Sequence, residues 1–239
     1  FIHGGGGNTM AWYQQVPYFS KKYKVITVDL RGFKYSRCPE NLVHPQYFAD
    51  DMRAVLDAEK APHAAFICQS LGAWAGLRVA VQTPERVSLL FINGSPTPVY
   101  SEENDRVLER ANGFFMGGDF ARGTGVGWNR QTVAERPEML FLYGQIKSLN
   151  PEPGFNSYTM ADASTRVQPK ELEGFKIPTI VCGGSHDDFL NPRSHFHAAS
   201  LIPGAETHTF PDSGHSAYFE HANEFNEVLD AYLKRVLPA

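Results

Sequence analysis

Cysteine is scarce in this sequence of 239 residues, which contains only Cys38, Cys68 and Cys182. Three scattered cysteines exclude a disulfide framework and a cysteine-based zinc site. Long apolar runs are also missing, because none approaches the roughly 20 residues that a membrane-spanning helix requires. The sequence therefore predicts a protein without a membrane span.

Blocks of like charge are absent as well. The 22 basic and 26 acidic residues give a net charge of −4 and are spread along the chain, so nothing predicts a nucleic-acid partner. A hydrophobic content of 42% and a charged content of 20% exclude a disordered chain. The length predicts one α/β-sized domain, or one domain with an insertion.

The chain opens on Phe1-Ile2 and runs directly into a glycine-rich loop. Two residues are too few for a strand, so we expect the strand that feeds this loop to have lost its beginning. A signal peptide ahead of it would not be visible. A cytoplasmic location is the default expectation.

A serine stands at a predicted strand-to-helix junction. An apolar run of strand character (64–67) is followed almost at once by a helical pattern (71–81), and Ser70 lies between them. Small residues, Cys68 and Gly72, flank the serine at two positions on either side, as a cramped turn that pushes its hydroxyl outward requires. We interpret Ser70 as a nucleophile. The pattern alone fits a helix N-cap equally well.

The glycine-rich loop His3–Asn8 contains four consecutive glycines, whose backbone N–H groups can approach a ligand closely. A phosphate-binding loop would continue with Lys and then Ser or Thr, and a dinucleotide fingerprint would space its glycines. Neither pattern is present. An oxyanion hole therefore fits the loop best, with His3 bracing it by hydrogen bonds.

Strand and helix patterns alternate along most of the chain, which predicts an α/β fold: a mostly parallel open sheet with helices on both faces. Cys68 and Cys182 end separate strands, so we expect buried thiols without a disulfide. Strands are predicted at 23–30, 64–67, 87–92, 178–182 and 206–210. Helices are predicted at 10–19, 47–58, 71–81, 192–201 and 217–236.

The alternation stops in the middle of the chain, where residues 95–175 carry probable helices at 104–115, 137–149 and 155–165. Such insertions usually lie over the carboxyl ends of the strands, where ligands bind. We therefore predict a helical lid over 95–175 and a core formed by 1–94 and 176–239. Ordinary core packing also explains most of the aromatic residues here. The predicted substrate-binding side chains are Trp74, Phe114, Trp128 and Phe141.

A nucleophilic serine needs a base to remove its proton and a carboxylate to orient that base. Candidates for both follow strands whose carboxyl ends meet at one edge of a parallel sheet. Asp187 and Asp188 come after one strand, and His215 comes after the last. The chemistry alone leaves the choice between Asp187 and Asp188 open.

A serine, an aspartate and a histidine follow one another along the chain in that order, each after a predicted strand. In this order the sequence resembles the α/β-hydrolase family. The resemblance implies an eight-stranded fold whose first strands are missing here, with no metal or organic cofactor. It also implies an oxyanion hole formed by the N–H of Leu71 and that of Gly5 or Gly6, and it favours Asp187 as the acid. The motifs that carry it are His3-Gly4-Gly5-Gly6-Gly7, Asp29-Leu30-Arg31-Gly32, Cys68-Gln69-Ser70-Leu71-Gly72, Gly184-Ser185-His186-Asp187 and Gly214-His215.

Two positions depart from the family pattern: Cys68 stands where a glycine is usual, and Lys34 stands where a second glycine often occurs. Neither belongs to the predicted triad. The sequence predicts a serine hydrolase for a small to medium, mostly apolar ester or lactone. This substrate is the predicted partner, and the sequence leaves open whether the chain forms a homodimer. The alternatives are a hydrolase of carbon–carbon bonds, a lyase or cofactor-free oxygenase, and a ligand receptor with slow hydrolysis.

Overall fold

In the part of the chain that the structure describes, the sheet consists of four parallel strands that neighbour one another in chain order. The structure, a computed structural model, describes residues 1–116, 127–151 and 156–237, and only the backbone of 114–116, 157 and 158. The strands are β1 (Ala64–Gln69), β2 (Val87–Asn93), β3 (Thr179–Gly184) and β4 (Glu206–Phe210). Beyond β1, Ile2 forms single parallel bridges to both Cys68 and Val28.

The strands of this sheet are buried on both faces, because helices cover both. Along β2, Leu90 and Ile92 join one apolar cluster, whereas Leu89 and Phe91 join the other. The predicted α/β fold class is confirmed. The α-helices are α1 (Val16–Phe19), α2 (Phe48–Ala58), α3 (Gly72–Gln82), α4 (Glu102–Met116), α5 (Arg130–Glu135), α6 (Pro137–Lys147), α7 (Ser194–Ser200), α8 (Ala217–Glu220) and α9 (Ala222–Val236).

The predicted strand over 23–30 is wrong in extent. Only Val28 pairs there, through its bridge to Ile2 and a 3.3 Å hydrogen bond from its N–H to the Phe1 carbonyl. The Phe1 ammonium donates to the Ile26 carbonyl at 2.8 Å. The pattern over 23–30 therefore contributes one isolated bridge and no strand.

Three predicted helices are also divided. In place of one helix over 10–19 the structure has a 3₁₀ helix, Thr9–Trp12, and the short helix α1. The helix expected over 217–236 breaks at His221, which leaves the helical region with φ −132° and ψ 60°. In place of one helix over 155–165 the structure has two short 3₁₀ helices, Ser157–Ala161 and Ala163–Thr165. The break at His221 matters for the site, because it lets Glu220, the last residue of α8, turn inward.

Segments between β2 and β3 lie against the glycine-rich loop at the carboxyl edge of the sheet. The Asn8 amide donates to the Ile146 carbonyl at the end of α6 (2.7 Å). The Asn150 amide donates to the Gly6 and Gly7 carbonyls at 3.1 and 3.2 Å. These contacts place part of the predicted lid beside the predicted oxyanion hole. The domain boundaries at 95 and 175 stay a prediction.

Within the described ranges, no helix combines the length and the apolar character needed to cross a bilayer. Cys68 and Cys182 are buried free thiols, as predicted. Desolvation by burial raises the pKa of Cys68 to about 12, so this thiol stays protonated.

Candidate active site

Ser70 occupies a strained turn between β1 and α3. Its φ of +49° lies in the left-handed region that side chains other than glycine seldom adopt, and its N–H donates to the Asn93 carbonyl at 2.9 Å. Gly72 is required two residues on, because a Cβ there would lie 2.5 Å from the Ile2 carbonyl oxygen. The junction is therefore the serine elbow that the sequence predicts.

Cys68 replaces the glycine that is usual at the other flank of the elbow, and α3 makes room for it. A Cβ on Gly76 would lie 2.4 Å from the Cys68 Sγ, so the glycine on the helix accommodates the thiol on the strand. The departure from the family pattern at Cys68 is thus compensated one helical turn away.

The backbone of His215 is hydrogen-bonded to Gly127 and to Asn93, the residue before Gly94. Its N–H donates to the Gly127 carbonyl, and its own carbonyl accepts from the Asn93 amide at 3.4 Å. A Cβ on Gly94 would lie 2.6 Å from the His215 carbonyl oxygen, and one on Gly127 would lie 3.0 Å from the His215 Cβ. Side chains at either glycine would displace the histidine.

Asp187 meets the imidazole of His215: Oδ2 lies 2.8 Å from Nδ1, and both residues are buried. The other carboxylate oxygen, Oδ1, accepts the N–H groups of Phe189 and Leu190 at 3.1 and 3.0 Å. Because the carboxylate is the acceptor, Nδ1 carries the proton and Nε2 keeps a free lone pair. That tautomer is the one that a general base for serine needs.

Asp188 points away from His215. Its Oδ1 accepts the Gly127 N–H at 3.0 Å, its Oδ2 lies 3.7 Å from Arg130, and half of the side chain is exposed. Of the two candidates that the sequence leaves open, the structure brings Asp187 to the imidazole.

Ser70 and His215 share two neighbours. Phe189 lines a small cavity together with Ser70, and its ring packs edge-on against the imidazole with 5.0 Å between centroids. Asn93 bonds both residues, through its carbonyl to Ser70 and through its amide to His215. The Ser70 hydroxyl has no hydrogen-bond partner in the described part of the chain, and such contacts often form only when substrate is bound.

The glycine-rich loop passes directly over the elbow. A Cβ on Gly4 would lie 2.9 Å from the Ser70 Cβ, so only a glycine allows this approach. Gly5 and Leu71 line the cavity with Ser70, and their N–H groups donate to no residue that the structure describes. Gly6, the alternative to Gly5, has a φ of +94° and does not line this cavity.

His3 braces the loop from below, as predicted. The Leu30 N–H donates to its Nε2 at 3.0 Å, and its Nδ1 donates to the Gly4 carbonyl at 2.8 Å. Burial lowers the pKa of His3 to about 4, which keeps the ring neutral and preserves this pair of hydrogen bonds.

Three of the four predicted substrate-binding aromatics do not line the cavity beside Ser70. Trp74 is in the core, where its Nε1 donates to the Met160 carbonyl at 3.1 Å. Trp128 is buried against other aromatic rings, and 68% of the Phe141 surface is exposed. The side chain of Phe114 falls outside the described residues. Aromatic content marked a helical region, but it carried no information about which face of each helix meets the site.

Apart from Ser70, the described lining of the cavity is mainly apolar, and the sequence analysis did not single out its other polar side chain, Asn112. Asn112 is 7% exposed and has no hydrogen-bond partner in the described part of the chain. Its position four residues after Leu108 on α4 was the available signal. The apolar lining consists of Pro96, Leu108, Ala111, Met160, Phe189 and Leu190.

Glu220 was missed as well. It is fully buried at the end of α8, and desolvation raises its pKa to about 7 against the opposing effect of three backbone N–H donors. An isolated glutamate in an amphipathic sequence reads as a surface residue, so no pattern indicated its burial. As for metals, the described portion contains no group of three or more His, Cys, Asp or Glu side chains arranged to hold an ion.

Residues 1–222 match the family model described as the alpha/beta hydrolase fold. The chain belongs to the α/β-hydrolase family. Curated relatives of this α/β-hydrolase include 3-oxoadipate enol-lactonase 2 of Acinetobacter baylyi, 24% identical over 245 residues, covering 98% of this chain and 88% of the relative. Another is 2-hydroxymuconate semialdehyde hydrolase of a Pseudomonas species, 25% identical over 247 residues, covering 97% and 85%.

Solved structures agree with this assignment. An enzyme described as degrading N-acyl homoserine lactones superposes on this α/β-hydrolase with a TM-score of 0.79 at 28% identity, covering 97% of this chain and 91% of the other. The enol-lactonase from Burkholderia xenovorans has a TM-score of 0.78 at 22% identity, covering 97% and 90%, which supports the fold.

Proposed function

We propose that this α/β-hydrolase is a serine hydrolase that cleaves small to medium, mostly apolar carboxylic esters or lactones through an acyl-enzyme on Ser70. The observation that carries the proposal is the 2.8 Å contact between Asp187 and His215 beside the strained elbow of Ser70. A buried acid bonded to an imidazole, together with a serine on a strained elbow, supports acyl transfer, which requires these three groups.

In the proposed mechanism, Ser70 Oγ attacks the carbonyl carbon while His215 Nε2 takes its proton. Asp187 holds the imidazole by its Nδ1–H and stabilises the positive charge that the ring acquires. The Gly5 and Leu71 N–H groups stabilise the oxyanion. His215 then protonates the leaving alcohol and later deprotonates the water that releases the acid, so that the enzyme returns to its starting state.

The residues that enclose the small cavity beside Ser70, about 10 Å³ in volume, suggest which groups a substrate would present there. The apolar side chains favour a hydrocarbon group, whereas Asn112, which has no hydrogen-bond partner among the described residues, favours one hydrogen-bonding group next to it. Relatives named as lactone-degrading enzymes make a ring-closed ester a natural candidate. We therefore expect a lactone, or an ester with one further oxygen or amide, to be preferred over a plain alkyl ester.

Turnover of p-nitrophenyl butyrate by wild type and Ser70→Ala tests the chemistry. Continuous release of p-nitrophenol by wild type and its loss in Ser70→Ala, at an unchanged melting temperature, are expected. Equal turnover by the two proteins would remove Ser70 from the mechanism. A single slow burst would instead favour a ligand receptor.

Asn112→Leu tests the substrate preference. We compare p-nitrophenyl butyrate with its 3-hydroxy derivative, and expect wild type to favour the hydroxylated ester by about tenfold in kcat/KM or more. Asn112→Leu should lose this preference and still hydrolyse the plain ester. A preference that persists in the variant would show that Asn112 does not contact the acyl chain.

Cleavage of carbon–carbon bonds is the second candidate, favoured by the similarity to 2-hydroxymuconate semialdehyde hydrolase over 97% of this chain. The same base and oxyanion hole can serve both reactions. A vinylogous diketone assayed beside the esters separates them, and the substrate class with the higher kcat/KM identifies the reaction.

A further inference from the structure

Glu220 is a buried carboxylate whose hydrogen bonds surround His215. Its Oε1 accepts the N–H of Ser216 at 3.1 Å, and its Oε2 accepts the N–H of Gly214 at 3.1 Å. These donors are the residues directly before and after the histidine. Oε2 also accepts the Asn129 N–H at 2.8 Å. One side chain therefore fixes the backbone on both sides of His215.

The third donor, the N–H of Asn129, connects Glu220 to the segment 127–129, which also contacts the backbone of His215. Asn129 lies two residues after Gly127, whose carbonyl accepts the His215 N–H. The segment 127–129 and the loop 214–216 are thus joined twice, once by His215 itself and once through Glu220. Loss of the carboxylate would free both segments together.

The carboxylate has no cationic partner in the described ranges. Arg136 reaches the backbone carbonyl of Glu220 at 2.7 Å, and no ion pair to its side chain is present there. Burying an unpaired carboxylate is costly, and a neutral capping group would anchor a loop at lower cost. An acid at this position is therefore explained better by its two acceptor oxygens, which together accept three backbone N–H groups, than by stability alone.

We propose that Glu220 is a positioning residue for His215: by its contacts with the N–H groups of Gly214 and Ser216 it holds the 214–216 loop so that the imidazole stays between Asp187 and Ser70. Glu220 contacts neither substrate nor the reacting atoms. This inference rests on the proposed function, in which His215 is the base.

The test compares Glu220→Gln, Glu220→Ala and the control Asp230→Asn. Asp230 is another largely buried carboxylate, placed on α9 and paired with Lys22 and Lys234. We expect kcat for p-nitrophenyl butyrate to fall about tenfold in Glu220→Gln and about 100-fold in Glu220→Ala, with KM changed less than about threefold. The rate of fluorophosphonate labelling should fall in the same proportion. Asp230→Asn should keep kcat within about twofold even if its melting temperature falls.

Folded Glu220→Gln and Glu220→Ala with kcat and labelling rates equal to wild type would overturn the inference. If neither variant folds, amide hydrogen exchange in wild type decides: the N–H groups of Gly214, Ser216 and Asn129 should be protected like a strand, and exchange at the rate of a free loop would refute the anchoring. Failure of the proposed function looks different, because wild type itself would then show neither ester turnover nor labelling of Ser70.

Discussion

Replacing Asp187 by Asn is the substitution whose effect the structure specifies most closely. Oδ1 of Asp187 is held by the N–H groups of Phe189 and Leu190, so the oxygen of the new amide must stay there. The NH₂ group then faces His215 Nδ1 in place of Oδ2. Two donors cannot share that contact, so the imidazole moves its proton to Nε2 and can no longer accept one from Ser70.

The magnitude follows from that tautomer change. In serine hydrolases of this mechanism, an acid-to-amide change lowers kcat by about 10⁴-fold, which corresponds to about 5.5 kcal/mol in the barrier. Asp188→Asn is the matched control, because its neighbour Arg130 is exposed and its ion pair is long at 3.7 Å. An exposed pair of this kind contributes at most about 1 kcal/mol to stability, so activity should stay within about threefold of wild type.

Ester hydrolysis and fluorophosphonate labelling of both variants provide the assay, at a temperature where circular dichroism shows each to be folded. The expected result is a large loss in Asp187→Asn alone. The reasoning would be refuted by equal losses in the two variants, or by an Asp187→Asn enzyme within about tenfold of wild type.

Three further predictions concern stability and are checked by chemical denaturation. Burial raises the pKa of Glu220 from 4.5 to about 7. Between these two pH values the folded state keeps a proton that the unfolded chain has lost. The contribution of Glu220 to the free energy of unfolding therefore falls as the pH rises from about 4.5 to about 7. Relative to wild type, Glu220→Gln should gain up to about 3 kcal/mol between about pH 4.5 and pH 8, and parallel curves would contradict this. Lys60 has a φ of +53° just after α2, so Lys60→Gly should stabilise the protein by about 1 kcal/mol with unchanged activity; destabilisation would be contrary to expectation. Gly76→Ala should cost about 2 kcal/mol by contact with the Cys68 Sγ, and adding Cys68→Ala should restore at least about 1 kcal/mol, whereas strictly additive losses would argue against that contact.

Much of the fold and the chemistry could be predicted because they depend on local patterns. Strand β4 has the predicted bounds, since its limits coincide with turn residues on both sides. The positions of Ser70 and His215 follow from one rule, that the carboxyl ends of parallel strands meet at one edge. The small residues on either side of Ser70 indicated a cramped turn, and the glycine-rich loop and the later Asp and His distinguished a nucleophile from a helix N-cap.

The remaining features depend on contacts between distant segments. Glu220 and Asn112 look like surface residues in the sequence, and only packing buries them. Trp74 and Phe141 do not line the cavity beside Ser70, because helical periodicity does not tell which neighbour covers a given face of a helix. The segment 23–30 shows a similar limit: a strand pattern becomes a strand only where it is paired, and Val28 alone forms a bridge there.

The most direct measurement is the mass of the intact protein after reaction with a fluorophosphonate, followed by mapping of the labelled peptide. The account predicts one adduct per chain on Ser70, absent from Ser70→Ala and formed much more slowly in Asp187→Asn. An enzyme that hydrolyses esters and carries no adduct on Ser70, or carries it on another residue, would contradict the account.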